Sequence, residues 1–296
     1  MHSPAALIGY VSDLVVRGGP EPSDYPELLE VFDALQAQRD DTLSLARACI
    51  DGSDGAFNSR QTLQGHVCLR PYGYHGDFDI IDRIYLNDVA SDPRLAQWDE
   101  FFHWGTAAVA VRNRKTFFLD HYVPRFVEAR ADVRMLNVGS GPCRDVSELL
   151  IQLDNQPVAI DCLDADDRGF AHARDIIGLD DSRVTYIHRN ALRLGGPARY
   201  DAIWSAGLFD YLDDELFVTL ARRLGRLLSP GGEMVLGNFS LTNTQAGYMA
   251  FGGWMLQHRS ADHLLSLANK AGFGAGRTEV LQEPSGVNLF LHVRSA

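Results

Sequence analysis

The chain has 296 residues, 46% of them hydrophobic, which is enough apolar material for one large domain or a domain with a cap. Its net charge of −12 disfavours nucleic acid as the main partner, because phosphate contacts need clustered Lys and Arg. No apolar stretch is long enough to span a bilayer, and residues 1–8 lack a basic region before their apolar residues, so neither a membrane span nor a signal peptide is expected. Cys49, Cys68, Cys143 and Cys162 lie far apart without paired spacing, which fits a reduced cytoplasm better than a disulfide framework or a zinc site. The ten histidines form no His-x-x-x-His or His-Glu-x-x-His pattern, so no dedicated metal site is expected.

Residues 1–130 read as a helical N-terminal region. Ala5–Val16 and Pro26–Ile50 carry apolar residues at helical spacing, and Gly18-Gly19-Pro20-Glu21-Pro22 separates them. Pro71, Gly73 and Gly76 punctuate the next section, and a helix is predicted over 106–131 with a kink near Pro124. Such a region can merely pack on a sheet, or it can cap a binding crevice and exclude water. The capping role is the expectation here.

From 133 to 296, strands and helices alternate. Strands are predicted at 133–138, 158–163, 183–188, 201–205 and 233–238, with helices over 143–153, 167–178, 213–228 and 261–271. Ser229-Pro230-Gly231-Gly232 is expected to end the third of these helices. Two last strands, 277–282 and 287–294, are joined by Glu283-Pro284-Ser285-Gly286, too tight for a crossover, so they should form an antiparallel hairpin. The division expected is therefore a helical cap at 1–130 and a Rossmann-like α/β core at 131–296, with a mostly parallel sheet closed by a hairpin.

The chemistry starts at Gly139-Ser140-Gly141, directly after the first strand. Glycines let backbone approach a ligand, and the following helix offers unpaired N–H groups. The dinucleotide fingerprint needs a third glycine where Arg144 stands, and no Gly-Lys-Ser/Thr closes the turn as in a phosphate loop. An adenosyl ligand without pyrophosphate fits, with S-adenosylmethionine leading. Asp164 ends the second strand, where a carboxylate can accept from both ribose hydroxyls, although it could equally cap the next helix. Asn190-Ala191 follows the third strand, where Asn either meets adenine through its amide oxygen or makes a turn. Ser205-Ala206-Gly207-Leu208-Phe209-Asp210-Tyr211 follows the fourth, and its small residues leave room for a sulfonium. Phe209 and Tyr211 either face that cation or belong to the core. Arg70 to Asp79 gathers aromatics, glycines, His75 and two acids in one predicted loop, as binding loops often do. In the alternative, Asp77 caps a helix over 78–86.

Taken together, these stretches resemble the bacterial class I methyltransferases of 3-hydroxypalmitic acid methyl ester (extracellular factor) biosynthesis. The group pairs a Gly-Tyr-x-Gly-Asp element, here Gly73 to Asp77, with Val-Arg-x-Arg, here Val111 to Arg114. Its core carries Gly-Leu-Phe-Asp-Tyr-Leu, here Gly207 to Leu212, and Trp254 to Ser260 approximates a later Trp-x-Leu-x-x-Arg-Ser element. The resemblance covers roughly residues 60–296. It implies an S-adenosylmethionine site closed by the cap, Tyr74 and Asp77 near the methionine end, Asp77 on the ammonium, and substrate between the cap and Trp254–Arg259. Methyltransferases usually place an acid two residues before the first motif glycine. Here that residue is Asn137, so the site is expected to lack a negative charge near the methionine moiety.

Methyl transfer to a small molecule of bacterial specialised metabolism is the leading expectation. A carboxylate acceptor needs a clamp, for which Arg112, Arg114 and Arg259 are candidates, with Tyr211 and Trp254 beside the substrate. A hydroxyl or amine acceptor needs a base, for which His75 is nearest. A second enzyme class also fits. The amine of S-adenosylmethionine attacks its own γ-carbon, releasing methylthioadenosine and closing azetidine-2-carboxylate, with Tyr74, Asn137 and Ser205 positioning the amino-acid end. Asn137 favours the neutral amine this needs. A non-catalytic binding protein is the third reading. Sequence leaves the oligomeric state open.

Overall fold

The computed structural model describes residues 3–129, 132–197 and 199–295. The chain divides into two units, Met1–Val109 with Asn243–Met255, and Ala110–Thr242 with Leu256–Ala296.

The first unit is helical. Helices α1 (Pro4–Arg17), α2 (Tyr25–Ala37), α3 (Arg39–Asp51), α4 (Leu63–Leu69), α5 (Phe78–Leu86) and α6 (Pro93–Trp104) follow in turn, and α7 (Thr106–Glu128) begins in this unit. Local chemistry sets the starts. Ser3 and Thr62 each accept a backbone N–H at the first turn of α1 and α4, and Asp92 does so for α6 with proline next. The periodic run 26–50, expected as one helix, is two, because the helix breaks at Gln38. The end of the helix expected over 106–131 lies partly outside the described residues, which stop at 129 and resume at 132.

The second unit is a seven-stranded sheet in the order β3-β2-β1-β4-β5-β7-β6. Its strands are β1 (Val133–Val138), β2 (Val158–Asp164), β3 (Val184–His188), β4 (Tyr200–Ser205), β5 (Leu228–Phe239), β6 (Thr278–Gln282) and β7 (Asn288–Arg294). β1 to β5 run parallel, while β7 is antiparallel to both β5 and β6. This is the Rossmann-like class I methyltransferase arrangement, a mostly parallel sheet with its closing antiparallel hairpin. Helices α8 (Arg144–Leu153), α9 (Arg168–Asp175), α10 (Asp214–Gly225) and α12 (Ala261–Lys270) belong to this unit, and the short α11 (Ala246–Phe251) to the first.

Strand alternation divides the core into two layers. Leu136, Val138, Ile203, Met234, Leu236 and Leu291 face α10 and α12. Met135, Ile160, Cys162, Trp204, Val235 and Phe290 face α7 and α8. α7 supplies Phe118, Tyr122 and Phe126 to that second layer, and Phe117 stacks on Phe290 with ring centroids 3.9 Å apart.

Two departures from expectation have physical reasons. Ser229-Pro230-Gly231-Gly232 does not merely stop a helix. It lies within β5, where the pairing with β4 shifts register between Tyr200 and Ala202. The boundary is also not a single cut at 130. Most of α7 groups with the sheet through its aromatic face, whereas Tyr248 and Phe251 of α11 pack against Phe32 of α2 at 4.7 and 5.0 Å.

Candidate functional site

The glycine turn forms where β1 ends. Gly139 and Gly141 take φ of +66° and +52°, the left-handed region that glycine enters without a Cβ penalty. The backbone N–H groups of Gly139 and Ser140 both donate to the Leu163 carbonyl, at 2.8 and 3.2 Å, which ties the turn to the end of β2. A Cβ on Gly141 would meet nothing within 4 Å, so this backbone borders open space. The Ser140 hydroxyl is buried without a hydrogen-bond partner among the described residues. An open glycine edge beside an orphaned hydroxyl fits a nucleoside-type ligand.

Asp164 closes this turn from β2. One carboxylate oxygen accepts from Gly141 N–H at 2.9 Å and the other from Asp166 N–H at 3.0 Å. Burial pushes its carboxyl above the ordinary range, against the pull of these donors. The helix-cap reading fails, since α9 begins at Arg168 with no side-chain cap. Asn190 is exposed, and its amide oxygen accepts from Leu192 N–H at 2.9 Å, so it caps the short turn containing buried Ala191. That is the turn role.

After β4 the chain is crowded. Ser205 is fully buried and its hydroxyl donates to the Val138 carbonyl at 2.9 Å, joining β4 to β1. Gly207 lies close to a guanidinium, since a Cβ there would sit 2.8 Å from Nη1 of Arg114. Phe209 is core, edge-on to Phe217, while Tyr211 is exposed. Asp210 is buried, and one of its carboxylate oxygens accepts from Phe239 N–H at 2.6 Å. Burial pushes its carboxyl up to about 7, although that N–H, Arg114 and Arg259 oppose the shift.

Three expected roles need correction. Arg259 is only 2% exposed, and its guanidinium is taken up by the protein. It donates to Asp214 at 3.1 Å, Phe209 O at 3.1 Å, Asn238 Oδ1 at 2.7 Å and Leu212 O at 2.5 Å, so it locks the segment after β4 rather than clamping a substrate. Arg114 is likewise buried and faces Asp145 and Asp210. Arg112 stays half-buried, and burial lowers its pKa. In the helical unit, Asp77 is no ammonium partner. It accepts from Asp79 and Ile80 N–H at the start of α5, both at 3.1 Å, and meets His66 Nε2 at 2.8 Å, with Asp77 and His66 each 1% exposed.

The same unit holds the other loop residues. His75 Nε2 lies 3.2 Å from the Gly252 carbonyl, and the ring stacks near buried Trp254 with centroids 6.4 Å apart. Burial lowers its pKa, which keeps the imidazole neutral. Tyr74 is exposed.

Asn137 is buried, as its strand position requires, but its surroundings are not neutral. Its Nδ2 lies 3.4 Å from a carboxylate oxygen of Asp145, on the first turn of α8. Sequence reading found no acid near position 137, because the acid that folding brings there comes from the far side of the glycine turn.

A second cluster went unseen for the same reason. His121 of α7, Glu233 of β5 and His292 of β7 place three ligand-type atoms within 4.8 Å of one another, a set that could hold a metal ion. His121 Nε2 is 2.6 Å and His292 Nδ1 is 3.3 Å from the carboxylate. Arg125 and Arg294 pair with the same Glu233, so the carboxylate is already supplied with cations. Three ligands from three elements leave no spacing motif.

Comparison with known proteins agrees with this core. Residues 135–232 match the family model described as a methyltransferase domain. A 27-O-demethylrifamycin SV methyltransferase from Amycolatopsis mediterranei (strain S699) is 25% identical over 187 residues, 60% of this chain, and the match spans 61% of that relative's length. A possible exported protein from Bordetella parapertussis superposes over 99% of this chain and 97% of its own, with a TM-score of 0.63 at 16% identity. Magnesium protoporphyrin IX methyltransferase (ChlM) from Synechocystis PCC 6803, solved with bound SAM, covers 77% of this chain and 95% of its own, at a TM-score of 0.52 and 13% identity. At these identities the two structures establish the shared fold. Among the described residues, no helix is long and apolar enough to cross a membrane.

Proposed function

We propose that this chain transfers a methyl group from S-adenosylmethionine to a small-molecule acceptor in specialised metabolism. The observation that carries the reading is Asp164 held over the Gly139–Gly141 turn at the C-terminal edge of the parallel strands. The matched methyltransferase domain and the rifamycin-modifying relative support the same class of reaction. Bound there, S-adenosylmethionine supplies an already activated methyl group. The protein's task is to align the acceptor and exclude water.

In this reading the open edge of Gly141 and the Ser140 hydroxyl receive the nucleoside side, and Asp164 accepts from the ribose. The resemblance to hydroxy-fatty-acid methyl ester enzymes favours a carboxylate acceptor, which needs no base. Arg112, half-buried on α7, is the guanidinium assigned to it in this reading, whereas Arg114 and Arg259 face internal carboxylates. His75 is the base if the acceptor is a hydroxyl or amine, and its neutral ring suits that role.

The second reading, intramolecular attack by the amine of S-adenosylmethionine, needs a neutral amine, which the Asp145 carboxylate beside Asn137 opposes. One experiment separates the two. The protein is incubated with S-adenosylmethionine, with and without a panel of small carboxylic acids, and products are read by mass spectrometry. Methyl transfer predicts S-adenosylhomocysteine that rises with one acceptor. Methylthioadenosine with azetidine-2-carboxylate and no acceptor requirement would overturn it.

A further inference from the structure

We propose that Asp145, and not position 137, supplies the carboxylate that receives the ammonium group of the ligand's amino-acid end. The inference rests on the reading of the core as an S-adenosylmethionine site, and it replaces the expectation that this site lacks a negative charge there.

The geometry carries it. Val133, Met135 and Asn137 alternate onto the sheet face that α7 and α8 cover. Asp145 lies on the first turn of α8, immediately beyond the glycine turn, and its Oδ2 reaches within 3.4 Å of Asn137 Nδ2. A carboxylate from the helix thus stands one side chain away from where a strand acid would project. Its other oxygen is fixed by Val146 N–H at 2.9 Å, and the helix N-terminus favours negative charge at this position.

Charge balance points the same way. Asp145 is 5% exposed, and a buried carboxylate is costly unless it is paired. Arg114 is the cationic neighbour of Asp145, while Asp210 is faced by both Arg114 and Arg259. Asn137 gives the Asp145 carboxylate only a neutral donor, and a ligand ammonium beside Oδ2 would add a second positive charge to it. Asn137 then has a positive task. Its Nδ2 steers the carboxylate, and its amide adds no second negative charge next to the first, which like-charge repulsion would penalise.

The test compares two ligands that differ in the amino-acid end. S-adenosylhomocysteine carries it and methylthioadenosine does not. Titration calorimetry is run on the full-length protein, on Asp145→Asn, and on the exchange variant Asn137→Asp with Asp145→Asn. Asp145→Asn is expected to weaken S-adenosylhomocysteine at least tenfold while methylthioadenosine changes less than twofold, which also reports an intact nucleoside site. The exchange variant keeps both side-chain types and the total charge in the same place, and it should recover most of the lost affinity. If Asp145→Asn does not fold, the exchange variant decides alone. Near-native S-adenosylhomocysteine affinity supports the assignment, and selective loss of that ligand overturns it. Unchanged S-adenosylhomocysteine binding by Asp145→Asn, or equal weakening of both ligands, also overturns it. Failure of the unaltered protein to bind either ligand would sink the cofactor reading itself, a result distinct from all of these.

Discussion

Asp164 does two jobs with one carboxylate. It holds the glycine turn through Gly141 N–H and the start of the next loop through Asp166 N–H, yet remains partly open to solvent. Replacing it with alanine should weaken S-adenosylmethionine binding by about 1.5–3 kcal/mol, the range for hydrogen bonds to a charged group. Calorimetry measures the affinity, and thermal melting of the unliganded protein shows whether the turn itself has failed. Unchanged affinity in a folded variant would remove the ribose assignment. Residues such as Gly139, Gly141 and Asp164 were legible because each lies at a strand end, where periodicity fixes direction. Arg259 and Asp77 were not. The partners of Arg259, Asp214 and Asn238, lie many residues away, and those of Asp77 include His66 on the preceding helix. A buried structural arginine and a binding arginine look alike until the partners are in place. Asp145 was missed because a glycine turn folds the chain back and brings it to Asn137.

At the scale of elements, two buried carboxylates act as pins. Asp77 caps α5 and holds His66 of α4, so Asp77→Ala removes an N-cap and strands a buried imidazole. The expected cost is about 2–4 kcal/mol. Urea denaturation should show it, and Asp77→Asn, which retains a cap oxygen, should recover part. A loss below about 0.5 kcal/mol, the lower bound for a cap alone, would mean that the pin is decorative. Glu233 joins α7 to β5 and β7 through His121, His292 and Arg125. Burial would raise its carboxyl, but the hydrogen bonds from His121 and His292 win and hold it far below the ordinary range. A carboxyl whose folded pKa is depressed stabilises fully above its unfolded pKa, about 4.3, and loses that contribution as pH falls towards the folded value. Glu233→Gln should therefore cost about 3 kcal/mol at neutral pH and flatten the acid limb of the stability curve below about pH 5. Urea midpoints between pH 3 and pH 7 provide the check. Parallel acid limbs for the two proteins would show that Glu233 does not set acid sensitivity.

For the whole molecule, the sheet was readable and the division into units was not. Regular alternation from Val133 onward, ending in the tight Glu283–Gly286 connection, specified five parallel strands and a hairpin. The short helices α4 and α11 carry too few turns for periodicity to declare them, and nothing local shows that 243–255 belongs with residues 1–109. That membership comes from long-range packing. Tyr248 meets Phe32 and Phe101, and Phe251 meets Phe32 and Phe57. Truncation should follow these units rather than the sequence. Deleting residues 1–80 strips Phe32 and Phe57 from α11 and leaves its aromatic face exposed, so that fragment should aggregate. Deleting 1–109 and replacing 243–255 with a short flexible linker removes the whole unit. The excursion is easily bridged, because Asn238 Nδ2 donates to Gln257 O at 2.8 Å and Arg259 N–H donates to Phe239 O at 2.9 Å, which holds its two ends together. This second fragment keeps Gly139, Ser140, Gly141, Asp145 and Asp164, so it should unfold cooperatively and still bind S-adenosylhomocysteine. It lacks Tyr74, His75 and Trp254, so the proposed function predicts that its turnover is lost while its ligand binding is kept. Circular dichroism melts and calorimetry on both fragments test the proposal. A cooperative 81–296 fragment beside an unfolded linker fragment would refute this division of the chain.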